Sequence, residues 1–134
     1  MGSANRLIVG ERVALANTLF NVASGCINIG DRTIFGQGVI VTTGRHEFKD
    51  GMRVSLNPEC DDGSWGGGNS EVPSTGFDIS IGTGVFVATG AIILGKVTIG
   101  DHCVVAAGAV VTKSFPSYSF IAGIPAIRIK DTRE

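Results

Sequence analysis

The sequence predicts an all-β fold, a parallel β-helix assembled from six-residue steps, and three observations predict it. An aliphatic residue returns at every sixth position through Ile81, Val87, Ile93, Ile99, Val105 and Val111. A small or aliphatic residue stands four positions after each, at Val85, Ala91, Val97, Cys103 and Ala109, until Phe115 ends the series. Glycine is 20 of the 134 residues, about twice the usual ~7%. Many of these fall between hexads, as at Gly82, Gly84, Gly90, Gly95, Gly100 and Gly108. Neither the helical period nor simple strand alternation produces a six-residue beat. A solenoid does, when each hexad forms one flat side of a coil and three hexads close a turn. The two recurring apolar residues then point inward and stack on those of the coils above and below.

Taken in chain order, the beat starts with Val9 and Leu15, with Val13 and Leu19 in the second slot. It then shifts by two residues to Ala23, Ile29, Phe35 and Val41, with Ile27, Thr33 and Val39 in the second slot, which predicts a bulge near Asn21–Gly25. These coils run over 9–46. Residues 47–78 carry no hexad and read as one long inserted loop. The beat resumes over 79–116, and residues 117–134 form a C-terminal tail of what is a single β-helix domain. No stretch reads as an amphipathic helix, because glycine or β-branched residues interrupt every candidate.

Bulk properties exclude several function classes. A net charge of −1 and a pI near 6.1 supply no basic field for nucleic acid. The mean hydropathy of +0.30 comes from Val, Ile and Ala in the repeat. Its apolar runs are broken well short of the ~18 residues a membrane span needs, so no span is expected. Glu11 and Arg12 interrupt what would be a signal-peptide core. Cys26, Cys60 and Cys103 are an odd, widely spaced set that fits a reducing cytoplasm. Cys103 occupies an inward slot and reads as a small core residue.

The break in the repeat carries the chemistry. His46 follows Thr42-Thr43-Gly44-Arg45 where the loop leaves the coil. Imidazole titrates near neutrality and can take a proton from a hydroxyl or amine nucleophile. Arg45 falls in a slot that should be small and inward, so the coil is expected to open there. Glu47 is a candidate to orient the imidazole, although an adjacent residue usually points elsewhere. Trp65, the one tryptophan, stands between polar and Gly-rich runs. It either packs on a neighbouring surface or lines a pocket, or else tips a solvated loop. His102 follows Ile99-Gly100-Asp101 and reads as a turn residue. Two histidines so differently placed make no metal site.

The run Ile99-Gly100-Asp101, Ala106-Ala107-Gly108-Ala109-Val110-Val111-Thr112-Lys113, Pro116-Ser117-Tyr118 and Ala122-Gly123-Ile124-Pro125-Ala126 resembles the hexapeptide-repeat acyltransferases, in particular the galactoside, maltose and virginiamycin-type acetyltransferases. The resemblance covers roughly 9–46 and 79–130. It implies a left-handed coil, where the general rule for parallel crossovers would give the opposite hand. It also implies a homotrimer with acetyl-CoA lying between neighbouring subunits. By the same resemblance His46 is the general base, and Thr89, Ala107, Thr112 and Lys113 line the coenzyme.

Two departures qualify the match. Where galactoside-type enzymes hold the nucleotide with two basic residues after the Gly-x-Pro turn, this chain has Ile127 and Lys130, with Arg128 between them; Arg128 or Lys130 takes over that contact. The acidic residues used for sugar hydroxyls are replaced by Ala23 and Ser24, which points away from a galactoside. Asn17, Asn21 and Trp65 are the polar or aromatic candidates left for the acceptor.

The expected function is therefore acetyl-CoA-dependent O- or N-acetyl transfer to a small-molecule acceptor in the cytoplasm, without a metal. A sugar or sugar-nucleotide comes first and an antibiotic or other xenobiotic second. A non-catalytic β-helix scaffold is the other class. The carbonic-anhydrase-like branch of this fold needs three converging histidines, and this chain has two.

Overall fold

The computed structural model describes residues 6–59 and 71–134. Its strands are β1 (Leu7–Val9), β2 (Leu19–Asn21), β3 (Ile27–Ile29), β4 (Ile34–Phe35), β5 (Ile40–Thr42), β6 (Phe48–Lys49), β7 (Met52–Arg53), β8 (Ile79–Ile81), β9 (Phe86–Val87), β10 (Ile92–Leu94), β11 (Val97–Ile99), β12 (Val104–Val105), β13 (Val110–Val111), β14 (Ser119–Gly123) and β15 (Ala126–Asp131). All but β6 and β7 stack into three faces, parallel except for β15. The first face is β1-β3-β8-β11, the second is β4-β9-β12-β14 with β15 at its edge, and the third is β2-β5-β10-β13.

The register follows from the repeat. Ile79 pairs with Val97, Phe86 with Val104 and Ile92 with Val110, each three hexads apart. Each strand sends alternate side chains inward, so a full coil buries six. In the third coil these are Ile79, Ile81, Val85, Val87, Ala91 and Ile93, all 2% exposed or less. The column Thr33, Val85, Cys103, Ser119 is kept small, and its polar members are satisfied internally. Thr33 Oγ1 donates to the Gly82 carbonyl at 2.7 Å and accepts the Val85 N–H at 3.1 Å. Cys103 is buried as expected, and burial pushes its thiol pKa up.

The first coil departs from the expected register. Phe20, paired with Val41, is the inward residue, and Leu19 faces out at 56% exposure. The chain is one residue short between the second and third faces, since Ala14 bridges Ile34 while Leu19 pairs with Ile40. Ala16 turns this tight corner with a φ of 48°. The next corner compensates with a three-residue bulge before Ile27, so the net shift is the predicted two. Within it Ala23 is exposed rather than inward, and Val22 packs against the core instead. The ring of Phe20 meets Phe35 edge-on at 6.1 Å.

Stacking continues beyond Pro116. Phe115 bridges Ile99, β14 adds a rung on β12, and β15 then turns back antiparallel over β14. The tail thus closes one end of the coil. The inserted segment is also more ordered than its composition suggests. Residues 48–53 form an antiparallel hairpin, β6 with β7. Asp50 and Gly51 take φ of 53° and 80° at its turn, the left-handed pair that a two-residue hairpin demands and that Gly supplies at little cost. A 3₁₀ turn follows at Val54–Leu56.

Candidate active site

The coil opens at the corner between the third and first faces. Thr43 is the last buried residue of the second coil, and its hydroxyl donates to the Asn21 carbonyl at 3.0 Å. Gly44 follows against the Asn21 side chain, where a Cβ would sit 2.8 Å from Oδ1. Arg45 does not occupy an inward slot: it is exposed, with its guanidinium 4.9 Å from the centre of the Phe77 ring. The chain has left the coil two residues earlier than the repeat implied.

His46 comes next, with its side chain 46% exposed. Its Nδ1 contacts Oε2 of Glu71, a fully buried carboxylate. Glu71 Oε1 accepts the Ser55 N–H at 2.8 Å, and Arg53 Nη1 lies 3.5 Å from Oε2. Hydrogen bonding from Ser55 is the main cause that lowers the Glu71 pKa to about 2, against the opposing effect of burial, with His46 and Arg53 adding to it. The carboxyl is therefore ionised throughout the neutral range. Glu47, the sequence candidate for this partner, meets Glu71 through its backbone N–H, which donates to the Glu71 carbonyl at 2.7 Å. Glu71 carries no sequence signal, lying 25 residues from His46 with no fixed spacing. The hairpin that brings Arg53 and Ser55 to it was readable from Asp50-Gly51.

The remaining sequence candidates fall on distinct edges. Asn17, Thr89 and Ala107 share the corner between the second and third faces. There Asn17 Oδ1 accepts the Gly38 N–H at 2.7 Å and the Thr89 carbonyl accepts the Gly108 N–H at 3.0 Å. Thr112 and Lys113 are exposed at the corner between the third and first faces, the corner from which His46 departs two coils below. Asn21 is at this corner too, its Oδ1 accepting the Ala23 N–H at 2.9 Å. Between those levels a cavity of about 380 Å³ is lined by Gly76, Asp78, Lys96, Val97, Thr98 and Ser114. Arg128 and Lys130 lie on β15 instead, Arg128 Nε donating to Ser119 Oγ at 3.1 Å and Lys130 Nζ 5.5 Å from the Phe120 ring centre. One chain therefore brings His46, Asn21, Thr112 and Lys113 to one edge and leaves Thr89, Ala107, Arg128 and Lys130 elsewhere. Trp65 lies outside the described residues. His102 sits in a turn with a φ of 56°, stacked on Tyr118 at 5.3 Å.

Residues 78–113 match the family model described as bacterial transferase hexapeptide (six repeats). The galactoside O-acetyltransferase of Escherichia coli (strain K12) is 29% identical over 108 residues, covering 81% of this chain and 45% of that protein. The maltose O-acetyltransferase of Clostridium difficile 630 superposes with a TM-score of 0.66 at 28% identity, over 94% of this chain and 59% of that one. Residues 78–113 thus carry the hexapeptide repeat of that family. A hexapeptide-repeat acetyltransferase from Vibrio cholerae O1 biovar eltor, solved with acetyl coenzyme A, gives a TM-score of 0.75 at 23% identity over 96% of this chain and 62% of that one. The coil of this hexapeptide-repeat protein is accordingly the left-handed parallel β-helix. The chain spans less than half the length of the curated galactoside enzyme.

Proposed function

We propose that this hexapeptide-repeat protein is an acetyl-CoA-dependent O- or N-acetyltransferase with His46 as its general base. The observation that carries the reading is the position of His46. Its half-exposed imidazole stands at the exit from the coil, on the corner that bears Thr112 and Lys113 two rungs higher. Adjacent strands are ~4.8 Å apart, so those rungs differ by about 10 Å, a span suited to an extended pantetheine arm. Lys113 supplies a point charge for phosphate. Nδ1 is engaged by Glu71, which leaves Nε2 to receive a proton.

In the proposed reaction Nε2 takes the proton of the acceptor hydroxyl or amine as its heteroatom attacks the thioester carbonyl carbon. The tetrahedral adduct collapses with cleavage of the carbon–sulfur bond. The imidazolium returns the proton to the departing thiolate, giving the acetylated acceptor and free coenzyme A. Positioning and the base supply most of what such a transfer needs. A sugar or sugar-nucleotide is the acceptor we favour, with antibiotics the alternative panel. The setting is the cytoplasm, in keeping with the free thiols of Cys26 and Cys103.

The coenzyme candidates lie on two corners, and the outward faces suggest how both serve one site. From the second coil on the first face is polar outside, with Asn28, Ser80 and Thr98, and an exposed Ile8 stands at its first rung. The second exposes Ile34 at 50% and Phe86 at 45%, continued by Val104 and Phe120. The third exposes Leu19 at 56%, continued by Ile40, Ile92 and Val110. Two adjacent apolar faces with different residues suit a head-to-tail contact that closes into a ring. In the proposed homotrimer, residues of one copy complete the groove begun by another. Light scattering should return about three times the 13.8 kDa chain mass and the Phe86→Glu variant a single chain; a monomeric wild type overturns the assembly.

The function is tested by release of free thiol from acetyl-CoA across a panel of sugars, sugar-nucleotides, amines and antibiotics. Acceptor-dependent release is the expected result. No release with any acceptor, together with no calorimetric binding of acetyl-CoA, would return the chain to a scaffold role.

A further inference from the structure

We propose that Glu71 is the positioning residue of this site, fixing the proton of His46 on Nδ1 so that Nε2 is held as the free base. The proposal builds on His46 as the proton acceptor, but the contact that carries it is independent of the substrate. A neutral imidazole has one proton for two nitrogens, and the partner of one decides the character of the other. An ionised carboxylate is an acceptor only. With Glu71 Oε2 against Nδ1, that nitrogen must carry the hydrogen.

Glu71 is itself held from two sides. Its carboxylate takes the Ser55 N–H at 2.8 Å and faces Arg53 at 3.5 Å, and its carbonyl takes the Glu47 N–H at 2.7 Å. All three partners belong to the segment that carries the β6–β7 hairpin and the turn after it. The base is thus assembled by the inserted segment, and the coil contributes the exit at Thr43 and Gly44. A purely stabilising role accounts poorly for the arrangement. A buried ion pair adds little net stability over apolar packing, and here one partner of the carboxylate is an imidazole left 46% exposed.

Two readouts separate positioning from loop anchoring. Nitrogen-15 NMR of histidine-labelled protein should show the Nδ1–H tautomer for His46 in the wild type. Glu71→Gln keeps the side-chain volume but offers both a donor and an acceptor, so the tautomer preference should be lost. Its kcat should fall on the order of 10²-fold from misplacement of the base, with KM for acetyl-CoA unchanged. Glu59→Gln, which alters a carboxylate of the same segment that is 78% exposed and away from Glu71, should move neither readout. An Nε2–H tautomer in the wild type overturns the proposal whether or not transfer is detected, and needs no variant to fold. A folded Glu71→Gln protein with the Nδ1–H tautomer intact and kcat within about twofold of wild type overturns it as well. The Nδ1–H tautomer without any acetyl transfer would uphold the positioning role and sink the proposed reaction instead.

Discussion

Replacing His46 with Ala should lower kcat for acetyl transfer by about 10²–10⁴-fold, the contribution expected of a positioned general base. The protein around it should stay folded. His46 lies beyond Thr43, the last buried residue of its coil, and its side chain is half exposed, so the truncation opens no cavity in the core. Binding of acetyl-CoA should persist, because the proposed base serves the acceptor and its proton rather than the coenzyme. The outcome is read by thiol release at saturating acetyl-CoA beside a calorimetric titration of the same variant. Undiminished turnover would remove His46 from the mechanism; loss of coenzyme binding would show that the substitution had disturbed the groove.

The largest effect on stability is expected at Ile93. It is fully buried at the middle of the stack, its strand paired through Val41 below and Val111 above. Ile93→Ala removes three carbon atoms from a column that short, register-locked strands cannot shift to refill. The cost should be 2–5 kcal/mol, as for other buried isoleucines cut to alanine. Thr98 offers the contrast, since it is exposed on the polar outer side of the first face; Thr98→Ala should stay within about 0.5 kcal/mol of wild type. Urea denaturation followed by circular dichroism, at one protein concentration throughout, measures both. Equal midpoints for the two variants would mean that the inward columns do not hold the coil together.

The repeat was legible because the coil imposes it. Ile81, Val87, Ile93, Ile99, Val105 and Val111 all point inward for one geometric reason, and each is 2% exposed or less. Where the geometry changes, the pattern misleads. Leu19 kept the beat by chance, while a corner one residue short turned Phe20 into the core instead. Counting on past Thr43 puts Arg45 in an inward slot, although the chain has already left the coil there. The catalytic candidate was legible because His46 stands where the beat stops, but its partner was not. The Glu71 contact with His46 is made by tertiary folding of an inserted segment, and no period links them. Thr112 and Lys113 could be picked out by motif, yet only the corner on which they sit relates them to the histidine.

Across the insertion, all three faces keep one common offset: Ile27 pairs with Ile79, Ile34 with Phe86 and Ile40 with Ile92. The segment therefore leaves and returns at a single corner without shifting a rung. Closing a longer or shorter excursion there changes the entropy only slowly with length. The coil thus behaves as a chassis with one socket, and the socket holds both His46 and the groups around it. An exchanged segment that starts after Thr43 and ends before Ile79 would bring a new surface and its own histidine partner while the edge at Thr112 and Lys113, proposed here for the coenzyme, stayed as it is. Selection on such a fold can diversify what the socket binds without renegotiating how the protein folds.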